Sequence, residues 1–407
     1  MIVLTYINDE NVKLYLSRNI TIDELKKRMI GVEPYEVIGD DVVVLSDEDY
    51  MKKIGGGKPC KNCKEKADKK PSETLLKDID ADIAKLRYHI NRVEVFSTTD
   101  AKQDTVMLFP VYGSHNKFRH RAILKSLNEI VNRQHYIPDI LILDASKKPL
   151  YPELMNLDWV RYIHFKTDAT HVGLFQKEAL LEAGRKLTKH KNVIWADADV
   201  WSEDSYWIDK IRAELLKDSF NLVQGFTKFI DPIASKTDAV GFVCHGQDAS
   251  ALGWIAPGLI WGATRTYIDK CPSPFWNPYC IAGSGDVMFV HEHIDSEEFP
   301  AYLDWHWYRD IMRSDIQHGN AVCVDSDVIH EYHGMYQSRA YHWSRRVLDA
   351  FGVVTQFVHI DDAGLLAWHD PDNPVRDVLL RKSELRTLDD VDKVLGEVMH
   401  HRVRMEH

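Results

Sequence analysis

Two carboxylates that follow an apolar run are the first candidates for chemistry. Asp197 and Asp199 stand one residue apart in "NVIWADADVW", directly after the apolar residues Val193–Ala196. Carboxylates at the end of a buried strand suit a hard divalent cation such as Mg²⁺ or Mn²⁺, which can bridge diphosphate oxygens and neutralise charge on a leaving group. The alternative is an ordinary surface turn, because Asp is a favoured turn residue.

A pair of histidines offers the second half of such a site. His330 and His333 occur in "VIHEYHG", immediately after the apolar residues Val328 and Ile329. Two imidazoles three residues apart at a strand end can bind one ion, whereas either histidine alone is equally compatible with an exposed or a core position. Nitrogen ligands favour Mn²⁺ over Mg²⁺. The two motifs together predict a metal site built from two elements.

A third candidate is Asp286, which follows a Gly-Ser-Gly sequence in "AGSGDVMF". Small residues let a substrate approach the backbone closely. With Trp261, Trp276 and Tyr279 nearby in the chain, the carboxylate could act as the general base for a sugar hydroxyl. It could also be a helix N-cap residue, and the two interpretations are compatible.

The polar segment "FPVYGSHNKFRHR" contains Arg119 and Arg121, which could face phosphates. It matches neither the Walker pattern nor G-x-G-x-x-G. The alternative for either arginine is a solvated charged turn.

The elements that must position these residues alternate between strand and helix from residue 104 onward. Apolar runs in "TVMLFPV", "PDILILDAS", "VRYIHF" and "NVIWADADV" predict buried strands, and the segments between them have helical periodicity. This alternation predicts a largely parallel sheet with helices on both faces. Ligands in such sheets bind at the carboxyl ends of the strands, where Tyr112–Arg121, Asp144 and the Asp-x-Asp motif would lie.

The sequence divides into five parts. Residues 1–55 predict a small β-rich accessory module, and 56–71 a linker in which Cys60-x-x-Cys63 forms half of a zinc motif. Residues 72–96 predict a helix that either docks on its own chain or forms a short coiled coil in a homodimer. Residues 104–352 form the main α/β domain, and residues 353–407 predict a helical extension.

Composition excludes some classes of protein. The net charge of −11 argues against a large basic nucleic-acid surface, although a local basic strip remains compatible with it. Six cysteines in 407 residues do not make a disulfide scaffold, so we expect a reducing cytoplasm. We see neither a secretion signal nor a membrane span.

The order of these motifs resembles that of GT-A-fold, nucleotide-sugar-dependent glycosyltransferases. Within that group the closest resemblance is to the beta-1,4-galactosyltransferase-like branch and its bacterial and phage relatives, over residues 104–350. It implies a Rossmann-like, mixed and mainly parallel sheet flanked by helices, preceded by the N-terminal α+β module. Because we see no membrane anchor or signal, we expect a cytoplasmic enzyme of a microbe or of an infected host cell rather than a Golgi-type enzyme.

The resemblance also implies roles for individual residues. Asp199, His330 and His333 would bind Mn²⁺ (or Mg²⁺), Asp197 would lie beside the ribose or the metal, and Asp286 would be the base. Asp286 stands alone where the family has two acids, and Lys177 replaces the family's arginine. The residues expected to bind the nucleotide sugar are Pro110, Tyr112, Arg119, Arg121, Asp144, Phe175, Gln176, Lys177, Asp197 and Trp261.

The expected activity is the metal-dependent, inverting transfer of a sugar from a UDP-sugar to an acceptor hydroxyl. The acceptor would be a glycan, a protein or a modified base in phage DNA. One alternative is a haloacid-dehalogenase-like phosphohydrolase with Asp197 as nucleophile and Asp199 as general acid, although Trp201 crowds that turn. The other is a non-catalytic protein that binds sugar or nucleic acid on a transferase fold.

Overall fold

The computed structural model describes most of the main domain and parts of the remainder. The described residues are 2–8, 10–16, 35–38, 41–44, 81, 84, 104–113, 117–156, 160–231, 236–244, 255–294, 305–331, 348–349, 352–373 and 375–380. The Cys60-x-x-Cys63 linker, nearly all of the helix expected at 72–96, and His333 therefore lie outside the described residues.

The strands and helices follow the periodicity of the sequence closely. The strands are β1 (Ile2–Asn8), β2 (Glu10–Leu16), β3 (Tyr35–Ile38), β4 (Asp41–Val44), β5 (Thr105–Tyr112), β6 (Asp139–Ser146), β7 (Val160–Lys166), β8 (Asn192–Ala196), β9 (Val200–Trp201), β10 (Asn221–Gln224), β11 (Lys228–Asp231), β12 (Lys236–Gly241), β13 (Ile255–Ala256), β14 (Ile260–Thr264), β15 (Asn320–Cys323), β16 (Asp327–His330), β17 (Val358–Ile360) and β18 (Leu366–Trp368). The α-helices are α1 (Lys117–Arg133), α2 (Lys177–Lys186), α3 (Trp207–Lys217), α4 (Arg265–Lys270), α5 (Gly285–His293) and α6 (His306–Ile311), and residues 375–380 are also helical.

The first four strands form a sheet of their own, in the order β2-β1-β4-β3. Strand β1 pairs antiparallel with β2 and parallel with β4, while β3 and β4 are antiparallel. These strands coincide with the β-rich runs of the sequence. The boundary at residue 55 stays a prediction.

The main sheet has seven strands in the order β15-β10-β14-β8-β5-β6-β7. Strands β8, β5, β6 and β7 are mutually parallel, as are β10 and β15, whereas β14 runs antiparallel to both of its neighbours. Helices cover both faces. Phe109 packs with Leu127 of α1 and Ile211 of α3, and Leu108, on the opposite face, packs with Leu180 of α2. The prediction of a mixed, mainly parallel sheet flanked by helices is confirmed.

A further sheet has the order β13-β12-β11-β16-β9, and the chain enters it directly after β8 of the main sheet. Strand β8 stops at Ala196 and β9 starts at Val200, so the Asp-x-Asp motif is the turn between the two sheets. Strand β9 pairs antiparallel with β16, with His330 opposite Val200. Backbone pairing thus brings the two predicted metal motifs to one place.

A disulfide joins the two sheets. Cys244 follows β12 and Cys323 ends β15, and the bond connects residues 79 positions apart with a Cα–Cα distance of 6.1 Å. Tertiary packing of segments from different sheets brings together two cysteines that no local motif links. Cys271 and Cys280 are free and buried.

The expected helical extension begins differently. Residues 358–368 form an antiparallel hairpin of β17 and β18, in which Val358, Leu366 and Trp368 are buried. Leu366, Ala367 and Trp368 of β18 are all buried, and only 375–380 are helical among the described residues beyond the hairpin. In the described part of the chain, no helix combines the length and apolar character that crossing a membrane requires.

Candidate active site

The turn between the two sheets presents its two aspartates on backbone that is fixed at both ends. The Asp197 N–H donates to the Leu259 carbonyl at 2.8 Å, and the Val200 N–H donates to the Asp197 carbonyl at 3.2 Å. The Glu331 N–H donates to the Asp199 carbonyl at 2.9 Å. A surface turn would not need these contacts, so the geometry supports the interpretation of the motif as a rigid mount.

Asp199 and His330 are the two predicted metal ligands that the structure brings close together. Asp199 Oδ1 lies 3.6 Å from His330 Nε2, and both side chains are mostly buried. Ligands bind small divalent ions at about 2.1 Å, so two atoms within about 4.2 Å of each other can share one ion. Within the described part of the chain, no three His, Cys, Asp or Glu side chains are grouped to hold a metal. His333, the third expected ligand, lies outside that part.

Lys177 organises the other half of the site. It is the first residue of α2, and its Nζ lies 2.6 Å from Asp197 Oδ1 and 2.8 Å from Asp286 Oδ1. The Lys177 side chain is only 8% exposed. The Asp197 carboxylate is thus engaged by an ammonium, which favours an ion-pairing role for Asp197 over the expected metal-ligating one.

Asp286 lies in the first turn of α5, next to the glycine residues Gly258 and Gly285. Gly283 and Ser284 before it adopt positive φ angles of 90° and 79°. A Cβ added at Gly258 would lie 2.5 Å from Asp286 Oδ2, and one added at Gly285 would lie 1.8 Å from Glu178 Oε1. In their present positions, these two carboxyl groups leave no room for a side chain at Gly258 or Gly285.

The charges in this cluster shift one another's pKa values. Burial alone would lower the pKa of Lys177, but Asp197 and Asp286 raise it well above its usual value. Burial raises the pKa of Asp197, and the neighbouring carboxylates of Asp286 and Asp199 add to the rise against the opposing effect of Lys177. Burial likewise raises the pKa of Glu178 to about 8, with Lys177 opposing it. Lys177 is therefore charged at neutral pH.

Several residues expected to bind the nucleotide lie at the carboxyl end of β5 or beside it. The half-buried rings of Tyr112 and Phe175 pack edge to face, with centroids 4.9 Å apart. Arg119 and Arg121 lie in the first turns of α1 and are half-buried, and Pro110 is buried within β5. This arrangement is compatible with the expected pocket for a base or sugar.

Three other residues of that set have contacts that indicate structural roles. Asp144 is fully buried and accepts from the Tyr162 hydroxyl and, at 2.8 Å, from the Leu150 N–H. Trp261 is 1% exposed and its Nε1–H donates to the Pro257 carbonyl at 2.8 Å. Gln176 is also buried, and its amide bonds both backbone groups of Leu366 in β18. Asp144 Oδ1 has no hydrogen-bond partner among the described residues, and the assignment of these three residues to the donor site stays a prediction.

The sequence reasoning missed two acidic residues. Glu331 is buried and accepts from the Trp201 indole N–H at 2.9 Å, and Lys125 Nζ of α1 lies 2.6 Å from the same oxygen. The position of Glu331 directly after His330, a predicted metal ligand, is the feature of the sequence that could have identified it. Glu178 directly follows Lys177 in the sequence. Its Oε2 has no hydrogen-bond partner among the described residues.

Comparisons with known proteins give distant structural neighbours. No protein-family model and no curated protein matches the chain. It is similar to GalNAc-T7, solved with UDP, GalNAc and Mn²⁺, at 12% identity and a TM-score of 0.35 over 56% of this chain and 43% of that one. It is also similar to the mannosyltransferase PcManGT from Pyrobaculum calidifontis, in complex with GDP-Man and Mn²⁺, at 11% identity and a TM-score of 0.36 over 77% and 84%. The chain thus spans less than half of GalNAc-T7, and at these TM-scores the likeness by itself assigns neither fold family nor activity.

Proposed function

We propose that this protein is a metal-dependent, inverting glycosyltransferase of the GT-A type that moves a sugar from a UDP-sugar to an acceptor hydroxyl. The observation that carries the proposal is the 3.6 Å distance between Asp199 Oδ1 and His330 Nε2, which strand pairing brings together. Next to them, Lys177 contacts both Asp197 and Asp286. The order of the motifs supports placing it in the beta-1,4-galactosyltransferase-like branch with bacterial and phage relatives.

The donor atoms at the turn suit Mn²⁺ better than Mg²⁺, because one carboxylate and one or two imidazoles form a mixed oxygen and nitrogen set. Asp199 and His330 would hold the ion, with His333 as the third ligand. When bound, the ion would neutralise the charge that develops on the departing diphosphate. The exposed parts of Tyr112 and Phe175 would support the uracil or the sugar, as aromatic rings commonly do.

Asp286 would take the proton of the acceptor hydroxyl. The acceptor oxygen would form its bond to the anomeric carbon from the face opposite the nucleotide while the bond to the diphosphate oxygen breaks, which inverts the configuration. The Asp286 side chain is 32% exposed. The carboxylate fits in this place because Gly258 carries no side chain, and a Cβ there would lie 2.5 Å from Asp286 Oδ2.

We propose a glycan, a protein or a modified DNA base as the acceptor. A DNA acceptor would need a local basic strip on a chain whose net charge is −11. A homodimer through residues 72–96 and a cytoplasmic location stay predictions. The Cys244–Cys323 bond argues against the latter, since disulfides persist mainly in oxidising compartments.

The test is a panel of UDP-, GDP- and ADP-sugars incubated with the full chain and Mn²⁺, in which release of the free nucleotide is measured. We expect release from one UDP-sugar that a chelator abolishes. Release of phosphate from phosphomonoesters, without release from any nucleotide sugar, would indicate a phosphohydrolase instead. Binding of UDP and Mn²⁺ in calorimetry, without turnover on any donor, would indicate the non-catalytic alternative.

A further inference from the structure

We propose that Lys177 is a positioning residue that fixes one oxygen of Asp286 and leaves the other to take the acceptor proton. The inference rests on the proposed function and replaces the expectation that Lys177 binds the nucleotide. Its Nζ lies between two carboxylate oxygens, 2.6 Å from Asp197 Oδ1 and 2.8 Å from Asp286 Oδ1.

These contacts oppose a direct role in binding the diphosphate. The Lys177 side chain is 8% exposed, and both contacts are charge-assisted and short. A diphosphate that approached this ammonium would be repelled by the two carboxylates already bound to it. Lys177 instead connects the turn that carries the metal-ligating Asp199 to the helix that carries the base.

The two oxygens of Asp286 have different surroundings. Oδ1 is held by Lys177, while Oδ2 lies against Gly258, where a Cβ would come within 2.5 Å of it. A carboxylate held by one oxygen keeps a fixed plane, and its second oxygen can then point in a defined direction. Without the ammonium, Asp197 and Asp286 would face each other as like charges, and Asp286 would lose that orientation.

The kinetic test uses Lys177→Ala, Lys177→Arg and the control Lys186→Met in the full chain. Lys186 lies on the same helix, but its side chain is 59% exposed and it contacts neither aspartate. The assay follows nucleotide release, with Mn²⁺, from the donor that wild type cleaves fastest. We expect Lys177→Ala to lower kcat about 100-fold, the size of a general-base contribution, with donor KM changed less than about threefold. Added ethylammonium should restore part of kcat, and the control should behave as wild type.

A rise of donor KM of about tenfold or more with kcat retained would show that Lys177 binds the nucleotide, and would overturn the proposal. So would an unchanged kcat, or a loss that ethylammonium does not reverse. Lys177→Arg preserves the charge and carries the kinetic test if the alanine variant does not fold. Because its longer fork cannot occupy the same position between the two oxygens, we expect a lowered kcat with KM retained, and an unchanged kcat would overturn the proposal.

A second measurement is independent of activity. Urea unfolding of Lys177→Met, Asp286→Asn and the double variant forms a double-mutant cycle. We expect the double variant to shift the unfolding midpoint by less than the sum of the single shifts, whereas additive shifts would overturn the bridge. If wild type releases nucleotide from no donor, the proposed function fails, and the cycle still decides whether Lys177 and Asp286 act as a pair.

Discussion

The two halves of the candidate site are held in place by different means. Asp199 and His330 are brought together by backbone, because they lie at the junction of two strands that pair antiparallel. Asp197 and Asp286 are brought together by one side chain, the Lys177 ammonium. A position set by strand pairing depends less on a neighbouring charge than a position set by an ion pair does. Substitutions in the two halves should therefore have different consequences.

The largest effect should come from the half that contains the proposed metal ligands Asp199 and His330. Asp199→Ala or His330→Ala removes one of two donor atoms that lie 3.6 Å apart, so we expect loss of Mn²⁺ affinity and a fall in kcat/KM of about 1,000-fold. Calorimetric titration with Mn²⁺ and nucleotide release measure the two effects. Full activity of either variant with Mn²⁺ present would exclude the site.

The Asp286→Asn variant should lower the rate of catalysis without changing metal binding. We expect kcat to fall about 100-fold because the amide cannot accept the proton, with Mn²⁺ affinity as in wild type because Asp286 contacts Lys177 rather than the metal ligands. The same two assays apply. A variant that also loses Mn²⁺ binding would contradict the distinction between the halves.

Glu331→Gln tests how the strand junction is supported. Glu331 is buried, accepts from Trp201 and pairs with Lys125, while its own N–H bonds the Asp199 carbonyl. Neutralising this carboxylate should weaken Mn²⁺ binding about tenfold, the lower end of what losing a residue that orients a metal ligand costs. The exposed Glu203→Gln is the matched control, and equal Mn²⁺ affinities in the two variants would show that the strand pairing alone orients the ligands.

The smallest expected effect is on how stability depends on pH, and it concerns Glu178 in the half of the site that ion pairs hold together. Burial raises the pKa of Glu178 from its usual 4.5 to about 8, so the folded protein keeps a proton that the unfolded chain loses as pH rises between these values. This group therefore reduces stability progressively from about pH 4.5 to pH 8. Glu178→Gln removes that dependence, and its thermal midpoint relative to wild type should increase from pH 5 to pH 8. A constant difference would show that Glu178 is ionised in the fold.

Much of the scaffold could be predicted from local pattern. The apolar runs of β5, β6 and β8 are long enough to identify strands buried on both faces, and all three lie in the main sheet. The sequence pattern could not show whether a polar residue binds a ligand or stabilises the fold. Asp144, Gln176 and Trp261 were expected in the donor pocket, and each is buried with at least one polar atom bonded to a backbone group of the protein itself.

The sequence by itself determined which residues could do chemistry and that they would follow strands, because residue type and periodicity are local properties. Only the tertiary structure decided which of them meet. Lys177 and Asp286 are 109 residues apart and Trp201 and Glu331 are 130 apart, and each pair is made by packing between distant elements. The physical reason is that the environment of a charged side chain depends on what folds against it, which no local spacing specifies.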